Sequence, residues 1–394
     1  MSFDVAAIQQ SLAAEGLDGW LLYDFHGSNP IASRLLGTGS GGKMTTRRWF
    51  YLVPSAGQPR GLVHAIEKTT LDGLPGDKSV YAGRRQLEAG LTELLSGMRR
   101  VAMEYSPDCA IPYISRVDAG TIEAVRKRGV DVKSSGDLVQ RFEAAWDGQA
   151  LATHREASAA LYRVKDRAFE AVARNIREGA NVSEFDIQRL MAGLFQDEGL
   201  VSDSDPVVAS QENAGNPHYL PTAAKSRRIG ADELVLLDLW AKKAGNSDAV
   251  YADITWVGFT GKMVPGEVAR AFEAVAAARD AAASLAQQSA RDQRDLRGWQ
   301  VDQAARKVLE GAGYGERILH RTGHNLGRDV HGNGVHMDDY ESHDDRRLLP
   351  GTGFTIEPGL YFPSFGVRSE INVFYGEHDA LITGPVQTEI LRLL

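Results

Sequence analysis

The hexapeptide Ala168-Phe169-Glu170-Ala171-Val172-Ala173 returns letter for letter as Ala271-Phe272-Glu273-Ala274-Val275-Ala276. Both copies are strong helix formers and each is read as opening a long helix. The first of these is expected from about Glu156 to Arg177, with Gly179 as its terminator. A second amphipathic helix follows each copy. After the first, Ser183 is a candidate N-cap, and Ile187, Leu190, Met191, Leu194 and Phe195 recur at the spacing of one buried face. After the second, Val301, Ala304, Ala305, Val308 and Leu309 do the same. Two helix pairs, each leading into strands, predict an α+β unit built from two pseudo-twofold halves, with a cleft between them.

Upstream the pattern changes. Short β-rich runs, Trp20 to Tyr23, Trp49 to Val53 and Val101 to Met103, alternate with helical stretches at Arg85 to Met98 and Val117 to Lys127. That predicts a separate α/β domain over residues 1–150, followed by the α+β domain over 151–394, and 394 residues are more than one ordinary core holds. The composition is that of a globular chain, 43% hydrophobic and 24% charged. A net charge of -8 without a long Lys/Arg run argues against nucleic acid as a partner. The single cysteine, Cys109, allows neither an intrachain disulfide nor a thiolate metal site, and suits a reducing cytoplasm. Met1 to Glu15 lacks the charge and apolar pattern of a leader, and no segment approaches the roughly 20 apolar residues of a membrane span. A cytoplasmic protein without a membrane partner is expected.

Chemistry-bearing residues fall in the second domain. Leu234 to Leu237 ends in Asp238, and Val250 to Ile254 contains Asp253; with Lys242 to Asp248 as a turn, the two runs read as a hairpin that can aim two carboxylates into one space. His320-Arg-Thr-Gly-His324-Asn-Leu-Gly-Arg-Asp-Val-His331 gathers three of the chain's 10 histidines in a stretch too glycine-rich for one helix. Phe354-Thr-Ile-Glu357-Pro358-Gly359-Leu-Tyr361 delivers a glutamate before a Pro-Gly turn, and Arg368 and Glu370 share a face by the two-residue strand period.

Taken in order, these elements resemble the pita-bread metallopeptidases: Xaa-Pro dipeptidase (prolidase), aminopeptidase P, methionine aminopeptidase and their creatinase-like relatives. The resemblance covers roughly residues 155–394, and the preceding α/β domain matches the Xaa-Pro and creatinase-like branches. It implies that Asp238, Asp253, His324, Glu357 and Glu370 ligate two divalent metal ions. Oxygen-rich, thiolate-free donors favour Mn²⁺, with Co²⁺ or Zn²⁺ as alternatives. A water shared by two such ions becomes hydroxide near neutral pH and attacks the polarised carbonyl. The resemblance further implies that Glu357 passes a proton to the leaving amine, that His218 and His331 stabilise the intermediate or place the substrate, that His320 lines the proline pocket, and that Arg368 braces the site. The expected reaction is hydrolysis of the bond before a trans proline, in dipeptides first and in longer peptides as the aminopeptidase P alternative, by a homodimer. A non-peptidase binding protein and a metal-free creatinase-like hydrolase are disfavoured, because all five ligand types are present.

Some positions depart from the family pattern. The hairpin is about four residues long for the family, Ser204 stands where relatives often begin with tyrosine or phenylalanine, and Trp256 follows Asp253-Ile-Thr255 where many carry arginine. These predict a slower reaction or a different substrate. Asp248 is expected in solvent, and the acidic, histidine-containing stretch His336 to Arg347 is expected to be a charged surface loop and not a second metal site.

Overall fold

The computed structural model describes residues 3–38 and 45–394. Two compact units divide between Ala144 and Ala145. In the first, six strands form one sheet: β1 (Gly19–Asp24), β2 (Trp49–Pro54), β3 (Arg60–His64), β4 (Asp77–Tyr81), β5 (Arg100–Met103) and β6 (Asp131–Ser134), in the order β4-β3-β2-β1-β5-β6. Strand alternation sorts the core into two layers. Trp20, Leu22, Trp49 and Tyr51 pack on one face with Ile8 and Leu12 of α1 (Val5–Ala14) and Ile31 of α2 (Pro30–Leu36). Leu21, Tyr23, Phe50 and Leu52 pack on the other with α3 (Arg84–Leu94) and α4 (Ala119–Arg126), and a short helix α5 (Gly136–Val139) follows β6.

The second unit opens on α6 (Gly148–Arg177), eight residues earlier than the expected start, because the Asp147 side chain caps it by accepting from the Ala150 amide. Its partner α7 (Glu184–Asp197) starts at Ser183 with a capping box. Strands β7 (Leu200–Val201), β8 (Val207–Ser210), β9 (Leu234–Lys243) and β10 (Ala252–Phe259) follow, and β17 (Leu391–Arg392) completes their sheet. The second helix pair is α8 (Gly266–Arg291) and α9 (Gly298–Gly311). It leads into β11 (Asn325–Leu326), β12 (Thr352–Ile356), β15 (Ile371–Tyr375) and β16 (Ala380–Ile382), with a small ribbon of β13 (Gly359–Tyr361) and β14 (Gly366–Arg368).

The helix-pair-then-strands plan therefore recurs, but the repeated hexapeptide does not mark equivalent places. Its first copy lies in the last third of α6 and its second near the start of α8. Alanine-rich helical faces produce such a coincidence cheaply.

Strands β9 and β10 pair antiparallel, with Thr255 opposite Asp238 and Asp253 opposite Trp240. The period of two then decides everything around them. Val235, Leu237, Leu239, Ile254 and Trp256 form a back face that packs on α6 and α7, while Leu234, Leu236, Val257 and Phe259 begin a front face that packs on α8 and the second sheet. Farther along that front face stand Asp238, Trp240, Asp253 and Thr255. The hairpin connection runs downstream of the expected turn, since β9 extends through Lys243. Trp146 belongs to the core of the second unit: its ring stacks on Phe374 and its indole N–H donates to the Leu326 carbonyl at 3.0 Å.

Candidate metal centre

Asp253, His324 and Glu370 converge, each offering a ligand atom within 4.8 Å of the others, and all three are buried. They come from different elements. Asp253 is fixed on β10, where its amide donates to Asn372 Oδ1 of β15 at 2.9 Å. His324 lies just before β11, and its amide donates to Thr355 Oγ1 at 3.0 Å. Glu370 sits between β14 and β15 and accepts from Thr255 Oγ1 at 2.8 Å.

The remaining two expected ligands lie alongside. Glu357 follows β12, with Oε1 3.3 Å from His324 Nε2. Asp238 Oδ2 is engaged by Arg368 Nη2, and Arg368 Nε reaches Thr255 Oγ1 at 3.0 Å and lies 3.9 Å from Glu357 Oε2. Thr255 thus ties Arg368 to Glu370 and stands opposite Asp238. Sequence reading passed over it, although its two-residue spacing from Asp253 on a strand places it on the same face.

Tautomers can be assigned from partners. His324 Nδ1 faces the Asn325 carbonyl at 3.2 Å, so it carries the proton and leaves the Nε2 lone pair directed at Asp253 Oδ2, 3.6 Å away, and at Glu357. His320 Nδ1 donates to the Arg321 carbonyl at 2.7 Å, so its Nε2 accepts from the Tyr361 hydroxyl at 2.6 Å. That hydroxyl in turn accepts from Arg368 Nη1 at 2.9 Å. A directed chain therefore runs from Arg368 through Tyr361 to His320, and Tyr361 is a second residue that sequence reading left without a role.

The electrostatics are those of a cation site. Burial and the neighbouring charges of Glu370, Asp238 and Glu357 hold the Asp253 carboxyl well above its usual range. Glu370 is raised by burial and by Glu357 and Asp238, and burial lifts Glu357 to about 7. Burial pushes His324 well below the ordinary imidazole value and takes His320 to about 3. Asp253 Oδ1 and Glu370 Oε1 are buried without a hydrogen-bond partner. Stranded carboxylate oxygens cost roughly 1–3 kcal/mol each unless something positive meets them. Crowded hard oxygen donors beside one neutral imidazole fit a divalent cation. Among the described residues no other group of three or more such side chains converges in this way.

His331 borders the cluster, its ring edge-on to His324 with centroids 4.3 Å apart. It reaches solvent, yet the cleft desolvates it enough to push its imidazole down to about 4. His218 is exposed on the loop after β8, whose position Glu184 fixes from beneath: that fully buried carboxylate accepts from the Ser210 amide, Asn213 Nδ2 and the Tyr219 hydroxyl.

Residues 156–377 match the family model of metallopeptidase family M24. This chain belongs to that family. Its curated relatives include an Xaa-Pro dipeptidase of Lactobacillus delbrueckii subsp. lactis, 32% identical over 204 residues that cover 51% of this chain and 49% of the relative. A putative Xaa-Pro aminopeptidase of Mycoplasma pneumoniae is 29% identical over 185 residues, 46% and 48% of the two chains. The chain thus spans about half the length of the curated relatives it matches. The crystal structure of dipeptidase PepE from Mycobacterium ulcerans superposes with a TM-score of 0.71 at 21% identity, covering 99% of this chain and 96% of that one, so the likeness of fold takes in the α/β unit as well as the M24 unit.

Within that M24 fold the departures take on definite meaning. Trp256 is a back-face residue, buried against Tyr162 and under Lys165 Nζ, 3.8 Å from the ring, so the expectation that it alters the substrate is replaced by a packing role. Ser204 is exposed, and the Tyr361 phenol hydrogen-bonds with Arg368 and His320. Asp248 is exposed as expected and pairs with Arg328. The stretch 336–347 is not a surface loop throughout. Asp338 and Asp344 are buried, the first accepting from the Tyr340, Glu341 and Ser342 amides and the second from the Arg346 guanidinium, so both carboxylates are engaged within the stretch itself. No described helix is long and apolar enough to cross a membrane.

Proposed function

We propose that this M24 chain is a dinuclear exopeptidase that hydrolyses the bond before a trans proline in dipeptides, a prolidase. The observation that carries the reading is the buried convergence of Asp253, His324 and Glu370, with two stranded carboxylate oxygens and with Glu357 and Asp238 beside them. Asp238, Asp253, His324, Glu357 and Glu370 would hold two divalent ions, Mn²⁺ by donor type. Bound there, the ions would polarise the scissile carbonyl and lower the proton affinity of water.

The chain's own residues do the rest. Glu357, beside His324 Nε2 and within reach of Arg368, is placed to pass a proton from the attacking water to the leaving amine. His331 is neutral above about pH 4, so it offers an N–H dipole to a developing oxyanion and brings no charge. His218 can approach from the loop that Glu184 anchors. Arg368 grips and orients the Asp238 carboxylate, and through Tyr361 it fixes the His320 ring as a wall for the proline. A proline peptide bond lacks an N–H and so calls for a shaped pocket in place of backbone hydrogen bonds. A homodimer is inferred from the family resemblance alone. A cytoplasmic setting is inferred with support from the single, unpaired Cys109.

The test compares a dipeptide ending in proline with a tripeptide carrying proline second, using Mn²⁺-loaded protein and Glu370→Ala. Cleavage of the dipeptide alone is expected, with activity in the variant at background. Preference for the tripeptide would move the assignment to aminopeptidase P. No turnover of either substrate, with metal bound, would sink the Xaa-Pro reading, and an active Glu370→Ala would remove that residue from the cage.

A further inference from the structure

The front face of β9 does not end its contribution at Asp238. Two residues on, Trp240 shares that face and stands directly opposite Asp253. Its indole is half-buried and packs against the cluster of Trp146, Val250, Tyr251 and Leu326, as does Val330, the residue before His331. Asp203, on the loop between β7 and β8, accepts the Trp240 Nε1 hydrogen through Oδ1 at 2.8 Å. The Tyr251 hydroxyl lies close to the same loop residue. The carboxylate is exposed, lies close enough to His331 to act on its charge, and makes no ion pair among the described residues.

Loop acids are normally free to swing. This one is held by the indole N–H of Trp240, a strand residue opposite Asp253, and that combination of fixed anion and π-face recognises ammonium and guanidinium groups. We propose that Asp203 and Trp240 form a cation-selective subsite for the side chain of the residue preceding the scissile bond, giving preference to lysine or arginine there. The inference deepens the Xaa-Pro reading and rests on it for the chemistry of turnover, although recognition of the cationic residue can be measured without turnover. A substrate's α-ammonium offers the same chemistry, and the two sources separate by comparing substrates that share the α-amine and differ in the side chain.

The experiment measures kcat/KM for Lys-Pro and Leu-Pro with wild type, Asp203→Asn and Trp240→Phe. In parallel, calorimetry on the Mn²⁺-loaded proteins measures the affinity of lysinamide and leucinamide. Wild type is expected to favour the lysine compound in both assays. Asp203→Asn should lower the lysine values by about 5- to 20-fold, in the range of a partly desolvated charge-assisted contact, and leave the leucine values within about twofold. Trp240→Phe keeps a ring but frees the carboxylate, and should reduce the preference part of the way. Equal losses for lysine and leucine in Asp203→Asn would assign the carboxylate to the α-amine or to loop stability and overturn the inference, as would an unchanged ratio. If wild type cleaves neither dipeptide yet loses its lysinamide preference on Asp203→Asn, the Xaa-Pro reading fails and the subsite stands.

Discussion

Thr255 is the residue on which the two halves of the metal centre meet, since its hydroxyl accepts from Arg368 Nε and donates to Glu370 Oε2. Thr255→Val keeps the volume and removes both bonds. It should lower metal affinity or kcat/KM by about 10- to 100-fold, the usual cost of losing a group that orients a ligand, while Thr255→Ser retains most of it; a metal titration of the three proteins checks this. The five expected ligands could be proposed from sequence only through the order of several runs and their resemblance to a family, since each run alone is a modest signal; of the five, Asp253, His324 and Glu370 converge. Thr255 and Tyr361 could not be proposed, because a hydroxyl acquires meaning only from what folding sets beside it. Arg368 was legible as a brace, but its grip on Asp238 depends on a pairing between β-elements 130 residues apart.

Strand β10 carries Asp253 and Thr255 toward the metal centre and Ile254 and Trp256 toward α6. Trp256→Phe is therefore expected to cost about 1–3 kcal/mol of stability through lost packing and the lost Lys165 contact, and to leave kcat/KM within about twofold; denaturation and kinetics on one preparation decide it. A motif read as consecutive letters joins two surfaces that touch nothing in common. Helix α6 makes a second prediction. Its buried His154 meets the Tyr251 carbonyl at 2.7 Å and Thr383 Oγ1 at 2.6 Å, and burial pushes its imidazole down to about 4. The native state therefore resists protonation that the unfolded chain accepts near 6.5, so His154 favours folding above that pH and withdraws support as pH falls toward 4. The full effect is about 3 kcal/mol. Urea midpoints at pH 7.5 and 5 should differ less in His154→Gln than in wild type. Periodicity found α7 and α9 with their buried faces, and the β9/β10 pair, whereas β4 and β6 escaped it because four of their residues in a row, or three of four, face solvent and leave no apolar alternation.

At the scale of the molecule, Asp253, Glu370 and Glu357 are buried against one another's charge. Exhaustive chelation should lower the melting temperature by several degrees and Mn²⁺ should restore it, since a ligand bound only by the native state stabilises that state; scanning calorimetry with and without chelator reads the shift, and an unchanged melt would deny the cage any resident ion. The expected change of pattern near residue 150 compares with a division of contacts between Ala144 and Ala145, whereas the hexapeptide that suggested duplication falls late in α6 and early in α8, because likeness of letters says nothing about place within a helix. The cage also joins segments far apart in the chain: Asp253 is tied to Asn372 across 119 positions. Closing so long a loop is a late and collective event. A growing chain made as far as residue 369 would hold four of the five proposed ligands, with Glu370 still to come, so on the proposed cage its completion would wait for nearly the whole second unit to be made.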